Sequence, residues 1–169
     1  MVVSSTSDAS GNALRIVYAT PECAPLVKTG GLGDVSGALP VALRQIGLDA
    51  RVILPGYRAV LAALPEARGA GRIEAVARLP AARLLEADLP HGVPAWIVDC
   101  PELYDREGSP YQDGAGVDWR DNPLRFGLLA RAAALLGSPN SPVAWRADIV
   151  HANDWLTGLA PAYAALSGD

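Results

Sequence analysis

Residues 14–56 read LRIVYATPECAPLVKTGGLGDVSGALPVALRQIGLDARVILPG, and this stretch decides the fold class. LRIVYA (14–19) is a short run of β-branched and apolar residues that suits a buried strand. Pro21 and Pro25 then impose an irregular loop, and Gly30, Gly31 and Gly33 follow it. Over 32–46 the apolar residues Val35, Leu39, Ala42, Leu43 and Ile46 recur at helical spacing, and Gly47 stops the helix they predict. DARVIL (49–54) reads as a second strand, ended by Pro55 and Gly56. Strand, loop, helix and strand in that order make a βαβ unit, which implies a parallel pair joined by a right-handed crossover.

The rest of the chain extends this unit. Residues 71–79 and 83–89 read as strands and PAWIVD (94–99) as a clearer one, so a β-meander is expected within or beside the parallel sheet. LYDREGSPYQDGAGV (103–117) is a loop rich in Gly and Pro. Asn122 and Pro123 start a helix that runs to about residue 136. DIVH (148–151) is a short buried strand, Asn153 and Asp154 form a polar loop, and 156–166 is a last helix. The expected class is α/β, with a doubly wound, Rossmann-like core over residues 14–169 and a flexible leader over 1–13. Ser167, Gly168 and Asp169 follow the last helix directly, where a fold of this kind would return to another strand.

Composition narrows the function classes. Half of the 169 residues are apolar and 19% are charged, which is a globular balance. A formal net charge of -4 gives no reason to expect nucleic acid or an anionic membrane as partner. No apolar run reaches the roughly 18 residues of a membrane span. Residues 1–12 lack the features of a signal peptide, so a cytoplasmic protein is expected. Cys23 and Cys100 have no neighbours at metal-ligand spacing and read as reduced thiols, with no metal site expected.

Three segments could carry chemistry. KTGGLGDVSG (28–37) lies between the first strand and the first helix. Glycines there let the backbone approach a ligand and leave N–H groups free for phosphate, and Lys28 adds a mobile positive charge. The spacing fits neither the Walker loop nor the dinucleotide fingerprint, and a plain glycine turn with a solvated lysine is the alternative. HANDWLTG (151–158) crowds His151, Asn153, Asp154 and Trp155 at a strand end. Sugar sites use such mixtures of carboxylate, amide and aromatic face. The alternative is that Asp154 only caps the last helix, Trp155 packs into the core and His151 is structural. The third is the loop from Tyr104 through Tyr111 to Asp113, which is either functional or an ordinary surface loop.

Five stretches together resemble bacterial glycogen synthases and plant starch synthases. They are PECAPLVKTGGLGDVSGALP (21–40), DARVILPGY (49–57), LYDREGSPYQD (103–113), DNPLRFGLL (121–129) and DIVHANDWLTGLAPAY (148–163). The resemblance implies a GT-B glycosyltransferase of two Rossmann-like domains with the active site in the cleft between them. Its reaction would move glucose from ADP-glucose to the non-reducing end of an α-1,4-glucan such as glycogen, with retention and without metal or cofactor. By the same resemblance Lys28 contacts ADP-glucose, Gly30 and Gly31 lie near phosphate and glucose, Asp34 sets the loop, and Tyr111 lies near the cleft. Asp154 would be the acidic residue close to the reacting sugar, with His151, Asn153 and Trp155 around it as substrate contacts. Where the family often has two further histidines this chain has Asn153 and Leu156. Residues 14–169 are then an N-terminal portion, incomplete on its C-terminal side. Alone, such a portion is expected to be inactive and poorly soluble. A non-catalytic module that holds glucan or nucleotide sugar is the competing reading, and another two-domain glycosyltransferase is a third.

Overall fold

The computed structural model describes residues 13–166. The leader assigned to 1–13 lies, except for Ala13, outside the described residues, as do Ser167, Gly168 and Asp169. In chain order the elements are β1 (Arg15–Ala19), α1 (Gly31–Gln45), β2 (Asp49–Pro55), α2 (Arg58–Ala63), β3 (Arg68–Ile73), β4 (Ala82–Leu89), β5 (Val93–Asp99), α3 (Pro101–Tyr104), α4 (Asn122–Gly137), β6 (Ile149–Ala152) and α5 (Ala160–Leu166), with a single 3₁₀ turn at Trp155–Thr157. The strands form one sheet in the order β3-β4-β5-β2-β1-β6.

Strands β5, β2, β1 and β6 are parallel, with Val17 opposite Arg51 on one side and Val150 on the other. β3 and β4 pair antiparallel with each other and β4 with β5, so the expected meander lies beside the parallel sheet. Val17, Tyr18, Val52, Ile53, Leu54, Ile97 and Val98 are fully buried, which is why the central strands read as unbroken apolar runs. The β1-to-β2 and β5-to-β6 crossovers run in opposite directions across the sheet. Right-handed connections therefore place α1 on one face and α4 on the other. α4 packs on β1, β2 and β6, and α5 packs on α4.

Several expectations are corrected. The strand expected over 71–79 is β3, ending at Ile73. Beyond it Val76 and Leu79 form only an isolated bridge around Ala77, whose φ is 50°. Residues 101–104 close into α3, since Pro101 supplies a preset first-turn φ, and this takes Leu103 and Tyr104 out of the loop expected over 103–117. The helix expected over 156–166 is split into the 3₁₀ turn and α5.

Helix α1 forms as its spacing predicts, but the apolar residues that mark it are not those it buries deepest. Gly33, Ser36 and Pro40 face the core, while Val35 is 51% and Ile46 74% exposed. Small residues on that face let the helix lie against the preceding loop. A Cβ on Gly37 would stand 2.8 Å from the Ala24 carbonyl oxygen. Pro40 has no N–H to offer the Ser36 carbonyl one turn earlier. That carbonyl accepts the Cys23 thiol instead, at 3.5 Å. Burial pushes the Cys23 thiol up to about 11, which keeps it protonated as a donor. Cys23 and Cys100 are both free and buried.

Candidate functional site

Because β5, β2, β1 and β6 are parallel, their carboxyl ends lie along one edge of the sheet, where open α/β folds bind ligands. The loop after β1, the segment of Tyr111 and the loop after β6 meet there.

The loop after β1 is ordered by Glu22, a residue to which the sequence reading gave no role. Glu22 is 2% exposed. Its carboxylate accepts the Thr29 backbone N–H at 2.6 Å, the Thr29 hydroxyl at 2.5 Å, the Gly30 N–H at 3.4 Å and the hydroxyl of Tyr111. Burial alone would raise the Glu22 pKa. The hydrogen bonds from Thr29, Tyr111 and Gly30 outweigh it and hold the carboxyl below the usual glutamate value. Tyr111 is driven the other way, by burial first and then by the Glu22 charge, so its phenol stays protonated. One buried carboxylate thus ties the glycine loop to a residue 89 positions further along the chain.

Helix α1 starts directly after this loop. Gly30 is its N-cap and supplies no side-chain cap, so the first-turn N–H groups keep their capacity for an anion. A Cβ at Gly30 or Gly31 would meet nothing within 4 Å, so both glycines border open space. Lys28 stands beside this opening with its Nζ 2.7 Å from Asp34 Oδ1, and both side chains are about half exposed. Asp34 sits in the first turn of α1, where the helix dipole favours a carboxylate.

At the end of β6 the side chains diverge. His151 is still within the strand, half-buried, with its ring 4.7 Å from that of Tyr18, its register partner on β1. Asn153 donates its backbone N–H to Ala19 O at 3.0 Å and its amide to Ser36 Oγ at 3.3 Å. Leu156 is 5% exposed, so the departure from the resembled histidine turns that side chain into the core. Trp155 is 77% exposed, which overturns the alternative that it packs in the core. Asp154 does act as a cap, but of the 3₁₀ turn and not of α5, its Oδ1 accepting the Trp155 N–H at 2.7 Å.

Asp154 also carries the backbone strain of the site. Its φ of 69° and ψ of 169° fall in a region that is essentially reserved for glycine. The carboxylate is exposed beside Trp155 at the carboxyl end of β6. Strain of this kind persists where the surroundings over-determine it, and it concentrates at functional positions.

The Tyr111 segment is stapled from behind by Arg125, a buried arginine inside the mainly apolar α4 that the sequence reading passed over. Its guanidinium donates to Leu103 O at 2.9 Å, Pro110 O at 2.7 Å and Asn122 Oδ1 at 2.7 Å. The rings of Tyr57, Tyr104, Trp119 and Phe126 surround it at 5.7–6.0 Å. A charge in the middle of NPLRFGLL was the available signal, since a helix does not bury an arginine without a partner. Among the described residues no group of three or more His, Cys, Asp or Glu side chains could hold a metal ion, and no helix is long and apolar enough to cross a membrane.

Residues 15–169 match the family described as the starch synthase catalytic domain. The glycogen synthase of Aromatoleum aromaticum is 61% identical over 153 residues, which cover 90% of this chain and 31% of that protein. The glycogen synthase of Dechloromonas aromatica is 56% identical over 158 residues, covering 93% of this chain and 32% of that protein. The chain therefore spans about a third of the length of these curated relatives. Among solved structures, the catalytic domain of Starch Synthase IV from Arabidopsis thaliana, bound to ADP and acarbose, matches with a TM-score of 0.63 and 28% identity. That match covers 91% of this chain and 30% of the other.

Proposed function

The chain belongs to the starch synthase catalytic domain family, and on that premise we propose that it forms the N-terminal wall of an ADP-glucose-dependent glycosyltransferase. The reaction is transfer of glucose from ADP-glucose to the non-reducing end of an α-1,4-glucan, with retention and with no metal or cofactor. The place of work is the cytoplasm. The observation that carries the proposal is Asp154, an exposed carboxylate held on a strained backbone at the carboxyl end of β6.

Each residue then has a task. The uncapped N-terminus of α1, with Gly30 and Gly31 leaving room, receives the diphosphate of the donor. Lys28 supplies the cation. Its exposed ion pair with Asp34 is worth at most about 1 kcal/mol, so the diphosphate displaces Asp34 at little cost. Asp154 sits beside the reacting sugar, where a fixed negative charge favours the positive character that develops at the anomeric carbon. Trp155 offers its ring face to sugar C–H groups. Tyr111 lines the cleft with its ring, because its hydroxyl is committed to Glu22. His151 supports the strand end from within. The ADP and acarbose held by the Arabidopsis relative are the kinds of ligand this wall would meet. Departure of the diphosphate and placement of the acceptor need groups on a facing wall, which the two thirds of the relatives outside this match would supply.

The test is a chimera that joins residues 13–169 to the remaining length of the Aromatoleum aromaticum enzyme, assayed for incorporation of glucose from ADP-glucose into glycogen. The chimera is expected to transfer glucose, D154A and K28A to lower kcat/KM by about 100-fold or more, and the 169-residue chain alone to transfer none. A folded chimera without activity, full activity in D154A, or turnover by the chain alone would overturn the proposal. UDP-glucose in place of ADP-glucose separates this reading from other two-domain glycosyltransferases.

A further inference from the structure

Asn153 is offered by its position to a sugar hydroxyl, yet its amide is engaged elsewhere. Nδ2 donates to Ser36 Oγ at 3.3 Å, and Ser36 is 1% exposed. Around Ser36 lies a buried polar knot. Its Oγ stands 2.9 Å from Leu32 O and 2.8 Å from Thr20 Oγ1, and Thr20 Oγ1 stands 2.7 Å from Glu22 O. Two hydroxyls bring two protons to these three contacts. The Asn153 amide adds a donor without drawing on either of them. The Asn153 backbone N–H is also bound to the end of β1, through Ala19 O at 3.0 Å.

The knot therefore touches three parts of the site at once. Asn153 is joined covalently to Asp154. Ser36 and Leu32 belong to the first turns of α1, whose N-terminus faces the glycine opening. Thr20 leads into Glu22, which orders Thr29 and Gly30. Among the described residues, no other side-chain hydrogen bond joins the segment 153–158 to α1.

We propose that Asn153 is a positioning residue for the transfer reaction, setting the Asp154 loop against the Lys28–Gly31 loop through Ser36. This rests on the function proposed above, and it gives Asn153 a role behind the substrate and not against it.

The experiment compares N153A, S36A and the double variant in the chimera with the parent. Each single variant is expected to lower kcat about tenfold with KM for ADP-glucose changed less than about twofold, since misplacement of a reacting group is felt mainly in the chemical step. The double variant is expected to fall no further than the weaker single one, because both remove the same tie. Parental kcat in N153A, or losses that multiply, would overturn the proposal. A second readout needs no turnover. In the chimera labelled with ¹⁵N-glycine, N153A is expected to shift the amide resonances of Gly30, Gly31 and Gly33, which lie at the N-cap and in the first turn of α1, on a different segment from Asn153. Unmoved glycine resonances would overturn the tie whatever the kinetics. A parental chimera that transfers no glucose while its glycine resonances do respond to N153A would sink the functional reading and leave the tie standing.

Discussion

Replacing Asp154 by glycine and by alanine should invert the usual order of stability. At φ 69° and ψ 169° any residue with a Cβ is strained by about 1–3 kcal/mol, and glycine is not. The Asp154 carboxylate offsets part of this by capping the Trp155 N–H at 2.7 Å, a contact worth about 1 kcal/mol. D154A keeps the strain and loses the cap, so it should be destabilised by about 1 kcal/mol. D154G also loses the cap, at a cost of only a few tenths for glycine, and it sheds the strain. Against that stands about 0.5–1 kcal/mol for the larger entropy of glycine in the unfolded chain. The sum leaves D154G more stable than D154A by about 1–3 kcal/mol. With a urea dependence of about 2 kcal/mol per molar, the midpoint of D154G should lie about 0.5–1.5 M above that of D154A. Pulse proteolysis of the 169-residue chain in urea, at low protein concentration, reads this directly. Both variants should lower kcat/KM for transfer in the chimera by about 100-fold or more, so the glycine variant trades function for stability. A D154A midpoint equal to or above that of D154G would refute the strain argument, and with it the observation on which the functional proposal stands.

Three further outcomes follow from buried groups. E22Q should destabilise the chain near neutral pH, because a carboxylate accepting from Thr29, Gly30 and Tyr111 is replaced by an amide that must also place two donors. The folded-state pKa of Glu22 lies below the usual 4.5, so its contribution is fully present above about 4.5 and is lost as pH falls through the folded value. The gap in urea midpoint between parent and E22Q should therefore narrow below about pH 4.5, and a gap that stays constant in acid would count against this reading. R125K keeps the charge but cannot reach Leu103 O, Pro110 O and Asn122 Oδ1 together, and should cost about 2–4 kcal/mol in a urea melt, with a neutral result showing that the staple is dispensable. Cys23, with its thiol raised to about 11, should react with a thiol reagent at pH 8 only at the rate of chain opening, so rapid labelling of native protein would place it at the surface.

The parallel core was legible because its signals are local. Runs such as RIVYA and DARVILP are long enough and apolar enough to mean only buried strands, and the loop between them carries its own Pro and Gly punctuation. Helix α1 was legible in extent but not in orientation. Spacing counts apolar residues, whereas this helix is seated by what is missing: no side chain on Gly33 and Gly37, and no N–H on Pro40. Helix α2, RAVLAA, is too short for a period to show. In the candidate site, three segments stood out as candidates for different reasons: 28–37 for its glycines and lysine after a strand, 151–158 for polar and aromatic groups at a strand end, and the Tyr111 loop for its length, while the roles of single residues in them came from the family resemblance. Glu22 did not stand out. Its role arises from Tyr111, and nothing in PECAP announces a partner 89 residues away. The positive φ of Asp154 was equally silent, since an aspartate before a helix reads first as an ordinary cap.

A division of labour runs through these residues and explains which substitutions should matter for what. Glu22, Ser36 and Arg125 are each at most 2% exposed, and each spends its hydrogen bonds on two or more separate segments of the chain. Lys28, Asp34, Asp154 and Trp155 are exposed, and their contacts within the chain are local. A buried carboxylate that already accepts several donors has nothing left for a ligand, whereas an exposed pair such as Lys28 and Asp34 can be opened by one. Changes in the first group should therefore move several loops together and register in stability as well as rate. Changes in the second should register in rate or affinity with the fold intact, and at Asp154 with the fold improved when glycine takes its place.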